Sequence, residues 1–198
     1  MANIAERLPE RMTGEAFERW METWSDLDKW ELHDGYPVAM TGGTQLHDTI
    51  SNNIGYALRV LRERGCREHR DTLLRGAANS EFRAFPDFYV RCGPSTDDRT
   101  WIDDPVAVFE VLSRSTWRKD QGYKRDEYFK IPTLRHYVVV YQSEARIELW
   151  TRAADGDWPS APDIIAGIAA SLPLAAFDLA IPMAAIYADT ELAAATGT

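Results

Sequence analysis

The stretch "PVAVFEVL", residues 105–112, decides the fold, because it is apolar on both alternating faces and yet carries one carboxylate. Valines and other strand formers dominate it, the pattern of a strand covered on both sides. One face holds Val106, Val108, Glu110 and Leu112; the other holds Ala107, Phe109 and Val111. An ionised carboxylate there costs roughly several kcal/mol unless a cation or hydrogen-bond donors meet it. Something in the chain must compensate Glu110.

Upstream, "AFPDFYVRC" (84–92) sets Asp87 at the entrance of another strand. Two adjacent strands, each offering a carboxylate at the same level, form a site for a divalent cation. Hard oxygen donors suit Mg2+ or Mn2+, which takes few carboxylates and completes its shell with water and substrate phosphate. Downstream, a basic helix from about Arg118 to Lys130, stopped by Pro132, puts Asp120, Lys124 and Tyr128 on one stripe. An ammonium at Lys124 beside a metal can orient a water or stabilise charge building on a phosphate. The same spacing also describes a plain surface ion pair between Asp120 and Lys124. Asp87, following a proline, equally fits a turn or cap residue. The four histidines show no HExxH pairing, and there is no Walker loop, GxSxG elbow or GxGxxG turn.

The remaining chain supplies a mixed set of elements. Thr13 caps a helix through about Trp24, with Phe17, Trp20, Met21 and Trp24 on one stripe. In "KWELHDGYPVAM" (29–40), Asp34-Gly35 marks a hairpin, and Pro37 makes its second strand an edge candidate. Thr44 caps a long amphipathic helix ending near Gly65. Residues 66–92 read as short strands, and "HYVVVY" and "RIELWT" as two more joined near Ser143-Glu144. Beyond Trp150 the signal weakens to a loop and a final short helix in "PMAAIYADTELAAA". The expected architecture is a mixed α/β (α+β) single domain over residues 1–198, with 1–12 and 190–198 as flexible ends.

No apolar run approaches the ~20 residues of a membrane helix, and the N-terminus lacks the basic start and apolar centre of a secretory signal. A cytoplasmic protein is expected. Cys66 and Cys92, without CxxC spacing, read as two ordinary thiols. The net charge of −9 argues against a tight grip on nucleic acid. Its distribution is uneven, however: residues 59–91 carry +3 and residues 114–135 carry +4, between acidic ends. That permits a local surface for an anionic ligand.

Together, "WELHDGYPVAM", the His47 helix, "FPDFYVRC", "DPVAVFEVLSRSTWRKDQGYKRDEYFK" and "HYVVVY" resemble the PD-(D/E)XK nuclease superfamily. They are most similar to its bacterial Uma-two family of restriction-endonuclease-like proteins. The resemblance covers roughly residues 13–151. It implies a restriction-endonuclease-like fold, a central mixed sheet flanked by helices, with Mg2+ or Mn2+ held by Asp87, Glu110 and the backbone carbonyl of Val111. The superfamily's lysine two residues after the second acid is replaced here by Leu112, so its role passes to Lys124, with Lys119 a nearby competitor. Glu31 and His47 also match, Glu31 as a further acidic site residue and His47 with a capping or core role equally open. Arg114 stands where the family commonly has proline and could add a phosphate contact. The implied activity is endonucleolytic hydrolysis of DNA, and cutting both strands favours a homodimer. The alternative, favoured by the acidic ends, is a non-catalytic binding or assembly module on the same fold.

Overall fold

The computed structural model describes residues 11–23, 29–40, 42–78, 80–94, 99–112 and 120–194. Arg114, Lys119 and Trp24 lie outside them. The first helix, α1 (Gly14–Met21), starts where Thr13 accepts a hydrogen bond from the Ala16 amide, filling one orphaned donor of the first turn. The hairpin follows as β1 (Trp30–His33) and β2 (Tyr36–Ala39), paired from Trp30 with Ala39 to His33 with Tyr36. Asp34 and Gly35 both take positive φ, 48° and 81°, as a two-residue turn between twisted strands requires. As Pro37 suggested, β2 is an edge strand.

Helix α2 (Gln45–Leu58) begins at Thr44, whose hydroxyl accepts from the His47 amide. The expected single helix to Gly65 is in fact two pieces, α2 and a 3-10 segment over Arg59–Arg64 that ends on Gly65 at φ 74°. The chain continues as β3 (Cys66–His69), β4 (Leu73–Arg75), β5 (Arg83–Ala84), β6 (Phe88–Cys92), β7 (Trp101–Ile102) and β8 (Ala107–Leu112). Helix α3 (Asp120–Phe129) and strands β9 (His136–Tyr141) and β10 (Arg146–Thr151) come next. The C-terminal region departs from expectation. It holds three strands that the sequence pattern did not reveal, β11 (Asp163–Ala166), β12 (Ser171–Leu174) and β13 (Leu179–Pro182), before two short helices, α4 (Met183–Ile186) and α5 (Glu191–Ala194). Prolines at 173 and 182 and an alternating exposed–buried pattern dilute the apolar signal there.

The largest sheet has the order β11-β10-β9-β8-β6-β3, antiparallel except for the parallel pair β8 and β9. A parallel neighbour demands a crossover, and α3 lies within it. Strand β8 is central and covered on both faces, the setting its sequence demanded. On one face Phe109 and Val111 pack with Ile50, Ile54 and Leu58 of α2 and with Leu172, Ile181 and Ile186 of the C-terminal segment. On the other, Val108 and Leu112 pack with Tyr128 of α3, Tyr137 and Val139 of β9, and Leu74 and Ala84 from the smaller sheet. That smaller sheet has the order β2-β1-β5-β4-β7. The segment from Leu172 to Tyr187 thus helps to close the core over α2, and the Asn53 amide donates to the Ile186 and Ala188 carbonyls to fix that contact.

Cys66 and Cys92 face each other in the β3–β6 register and form a disulfide. This corrects the reading of two ordinary thiols. A separation of 26 residues carries no local signal, and only strand pairing brings the two together. Among the described residues, no helix is long and apolar enough to cross a membrane.

Candidate functional site

Register places the two acids. Phe88 of β6 pairs with Phe109 of β8, so one further step sets Asp87 opposite Glu110 on the α3 side of the sheet. Both line one cavity of about 400 Å³, together with Glu31, His47, Val111 and Lys124. All four residues expected to act catalytically, Glu31, Asp87, Glu110 and Lys124, are therefore brought together.

Lys124 and Tyr128 compensate Glu110. The Lys124 Nζ stands 3.1 Å from Glu110 Oε1 and 3.0 Å from Glu31 Oε1. The Tyr128 hydroxyl donates to the same Glu110 oxygen at 2.7 Å. Lys124 is only 13% exposed, so it is no solvated surface partner. The side chain of Asp120, its expected partner on the helix, lies outside the described residues. Burial pushes the Glu110 carboxyl up, to about 7; Lys124 opposes this, while the charges of Asp87 and Glu31 add to it. Burial also works against the charge on Lys124, but Glu110 and Glu31 outweigh it and hold the side chain firmly as an ammonium.

Glu31 is fixed from three sides. Its Oε1 also accepts the Phe85 amide at 2.9 Å, and its Oε2 meets His33 Nε2 at 2.8 Å. The hairpin that carries it is tied to α3 by the Asp34 amide, which donates to the Tyr123 hydroxyl at 2.6 Å. Burial opposes ionisation of Glu31, yet Lys124, the His33 hydrogen bond and the Phe85 amide bring its pKa down to about 2. A carboxylate depressed below its ordinary value of 4.5 stabilises the fold above that value, and the contribution disappears as pH falls towards 2. Glu31→Gln is therefore expected to lower stability at pH 7 by on the order of 3 kcal/mol. In urea melts at pH 7, 4 and 2.5 the gap from the parent protein should shrink with falling pH; a constant gap would assign the loss to packing instead.

Asp87 is held by its neighbours rather than by a turn of its own. Its Oδ2 accepts the Val111 amide at 2.7 Å, and its Oδ1 lies 3.0 Å from His47 Nε2. The hydrogen bond to Asp87 raises the pKa of His47 against the effect of burial, helped by the charges of Asp87 and Asp48. The Nδ1 of His47 is buried without a hydrogen-bond partner among the described residues. His47 therefore touches the site, and its open capping role belongs to Thr44 instead. Two participants were not assigned roles by the sequence: His33, and Tyr128 as a donor to Glu110. The first was legible, since residues two apart in a strand share a face.

Among the described residues, no three His, Cys, Asp or Glu side chains stand together as a ready-made metal cluster. Two carboxylates with water and phosphate are nevertheless a sufficient set for Mg2+. The donor chemistry fits, since Asp87 and Glu110 offer hard oxygens to one cavity. Glu110 makes its contacts through Oε1, and its Oε2 takes no hydrogen bond among the described residues.

Comparison with known proteins bears on the fold and the family. A crystal structure described as a "putative nuclease belonging to DUF820", from Anabaena variabilis, superposes with a TM-score of 0.72 over 90% of this chain and 98% of its own, at 11% identity. An uncharacterized protein of Synechocystis sp., slr1290, is 31% identical over 150 residues, 75% of this chain and 78% of its own. The family described as "Uma2: Putative restriction endonuclease" matches residues 15–183. With most of its length matched and the nuclease-type fold in place, the chain belongs to the Uma2 family of restriction-endonuclease-like proteins.

Proposed function

We propose that this protein is a metal-dependent endonuclease that hydrolyses phosphodiester bonds of DNA in the cavity between Asp87 and Glu110. The observation that carries the reading is the facing pair of acids with the buried Lys124 ammonium against one of them. Asp87 and Glu110 would hold Mg2+ or Mn2+, with the Val111 carbonyl as a further ligand. The ion, when bound, supplies Lewis acidity to the scissile phosphate and to the attacking water. His47 and the Val111 amide hold the Asp87 carboxylate in place, and Glu31 and Tyr128 do the same for Lys124 and Glu110. Lys124 donates a hydrogen bond to the water or stabilises charge on the phosphate; kept protonated by two carboxylates, it is not the group that takes up the proton. The expected products carry 5′-phosphate and 3′-hydroxyl ends. One site per chain facing a two-stranded substrate favours a two-fold homodimer.

Plasmid incubated with the purified protein and Mg2+ or Mn2+ should be nicked or linearised, and EDTA should stop the reaction. No cleavage, or cleavage that persists in EDTA, would remove the proposal. A second reading, a non-catalytic module on the nuclease fold, draws on the fact that Lys124 already neutralises Glu110 from within. Calorimetry separates the two: absence of any heat on titration with either ion favours the module.

A further inference from the structure

A second groove lies beside the candidate site, on the outer side of α2. Its walls include Asn52, Tyr56, Arg59 and Arg62 on one side and Arg70 and Phe88 on the other, and it encloses about 480 Å³. Arg70 lines both this groove and the cavity of the acids, so the two are neighbours on the surface. Along α2 and the first residue of the 3-10 segment after it, Asp48 borders the first, while Asn52, Tyr56 and Arg59 border the second at helical spacing. From Asp48 to Arg59 the stripe runs about 16 Å at 1.5 Å per residue.

The chemistry of the groove suits one class of ligand. Tyr56 is 77% exposed, so its ring is open to a stacking partner from solvent. Arg70 stacks over the Phe88 ring at 5.5 Å and is braced by Asn52 at 3.1 Å, which holds its guanidinium at the junction of the two cavities. Arg62 is paired with Glu68 at the groove wall, and Asp71 pairs with Arg70. The lining sets Arg59, Arg62 and Arg70 against the single acid Glu68, in a chain of net charge −9. Cations along a track with an uncovered aromatic ring are the means by which proteins hold an unpaired nucleic-acid strand, phosphates against arginine and bases against the ring.

We propose that this groove, beside the candidate site, binds an unpaired nucleic-acid strand, with Tyr56 stacking on a base and Arg59, Arg62 and Arg70 contacting phosphates. The proposal rests on the nuclease reading for its class of ligand, but its test does not need cleavage. Fluorescence anisotropy with a labelled 20-nucleotide single strand is measured in EDTA, so that binding is read without hydrolysis. The full-length protein should bind with a strong salt dependence. Tyr56→Ala should weaken binding at least fivefold with the salt slope unchanged, while Arg59→Ala should weaken it and lower the slope by about one. Both side chains lie on the surface, and unchanged melting curves will show that the variants are folded. No binding by the parent protein, or binding by both variants as tight as the parent's, overturns the proposal. Displacement of the strand by an oligo-glutamate peptide matched in charge, with the variants losing both ligands alike, would reassign the groove to an acidic protein segment and also overturn it. Cleavage of plasmid by a parent whose strand binding both variants match would overturn the track while leaving the nuclease reading intact. Strand binding lost in the variants, in a parent that never cuts, would do the reverse.

Discussion

Glu110→Gln is expected to abolish metal-dependent cleavage of plasmid, by on the order of a hundredfold or more, without unfolding the protein. The reasoning starts from what glutamine keeps. Its carbonyl oxygen can still accept from the Tyr128 hydroxyl and from Lys124, so the polar contacts at Oε1 survive. What it removes is the negative charge, in a cavity where that charge is crowded by Asp87 and Glu31 and penalised by burial. In EDTA at pH 8 the variant should therefore melt no lower than its parent. Calorimetry should show that its affinity for Mg2+ has fallen together with its rate. A variant that binds metal and cuts at the parent rate would mean that Glu110 serves only to balance Lys124. Asp87→Asn should lose activity similarly, but with some cost in stability, because the carboxylate also ties β8 to α2 through Val111 and His47.

The placement of these acids was legible because sheets are regular. An apolar strand with one carboxylate, and a second strand opening on Asp87, needed only a register, and the Phe88–Phe109 pair supplies it. The fate of Lys124 was not legible from spacing. Four residues after Asp120, it fits an exposed ion pair as well as an inward one, and only the crossover geometry between parallel β8 and β9 turns that face of α3 towards Glu110. Glu31 sits 79 residues upstream of Glu110 in sequence, and no local pattern links the two. Family resemblance, not periodicity, pointed to it. The disulfide and the three C-terminal strands escaped for a related reason. The first depends on a pairing between distant segments, and the second on strands of only four residues each, two of them carrying proline.

Lys124→Met tests the electrostatic centre from the opposite side, and a loss of about 3–5 kcal/mol is expected, as for other buried pairs deprived of one partner. Methionine fills a similar volume, so packing changes little while both Glu31 and Glu110 lose their cation. Glu110 should respond by taking up a proton more readily, since Lys124 is the group that opposes its upward shift. Glu31 keeps the Phe85 amide and His33, so it is better able to remain charged. Chemical denaturation of the single variant and of the triple variant Glu31→Gln, Glu110→Gln, Lys124→Met separates charge from shape. If the deficit is electrostatic, neutralising all three groups should restore most of the lost stability, because a neutral cluster leaves no uncompensated charge in the sheet. A triple variant as unstable as the single one would mean that the stem of Lys124, lying among Glu31, Glu110 and Tyr137, matters for packing rather than for charge. Cleavage is read on the single variant alone, since the triple variant already lacks the Glu110 carboxylate. Lys124→Met should not cut DNA if the ammonium acts on the phosphate or its water, even at a temperature where the variant is fully folded.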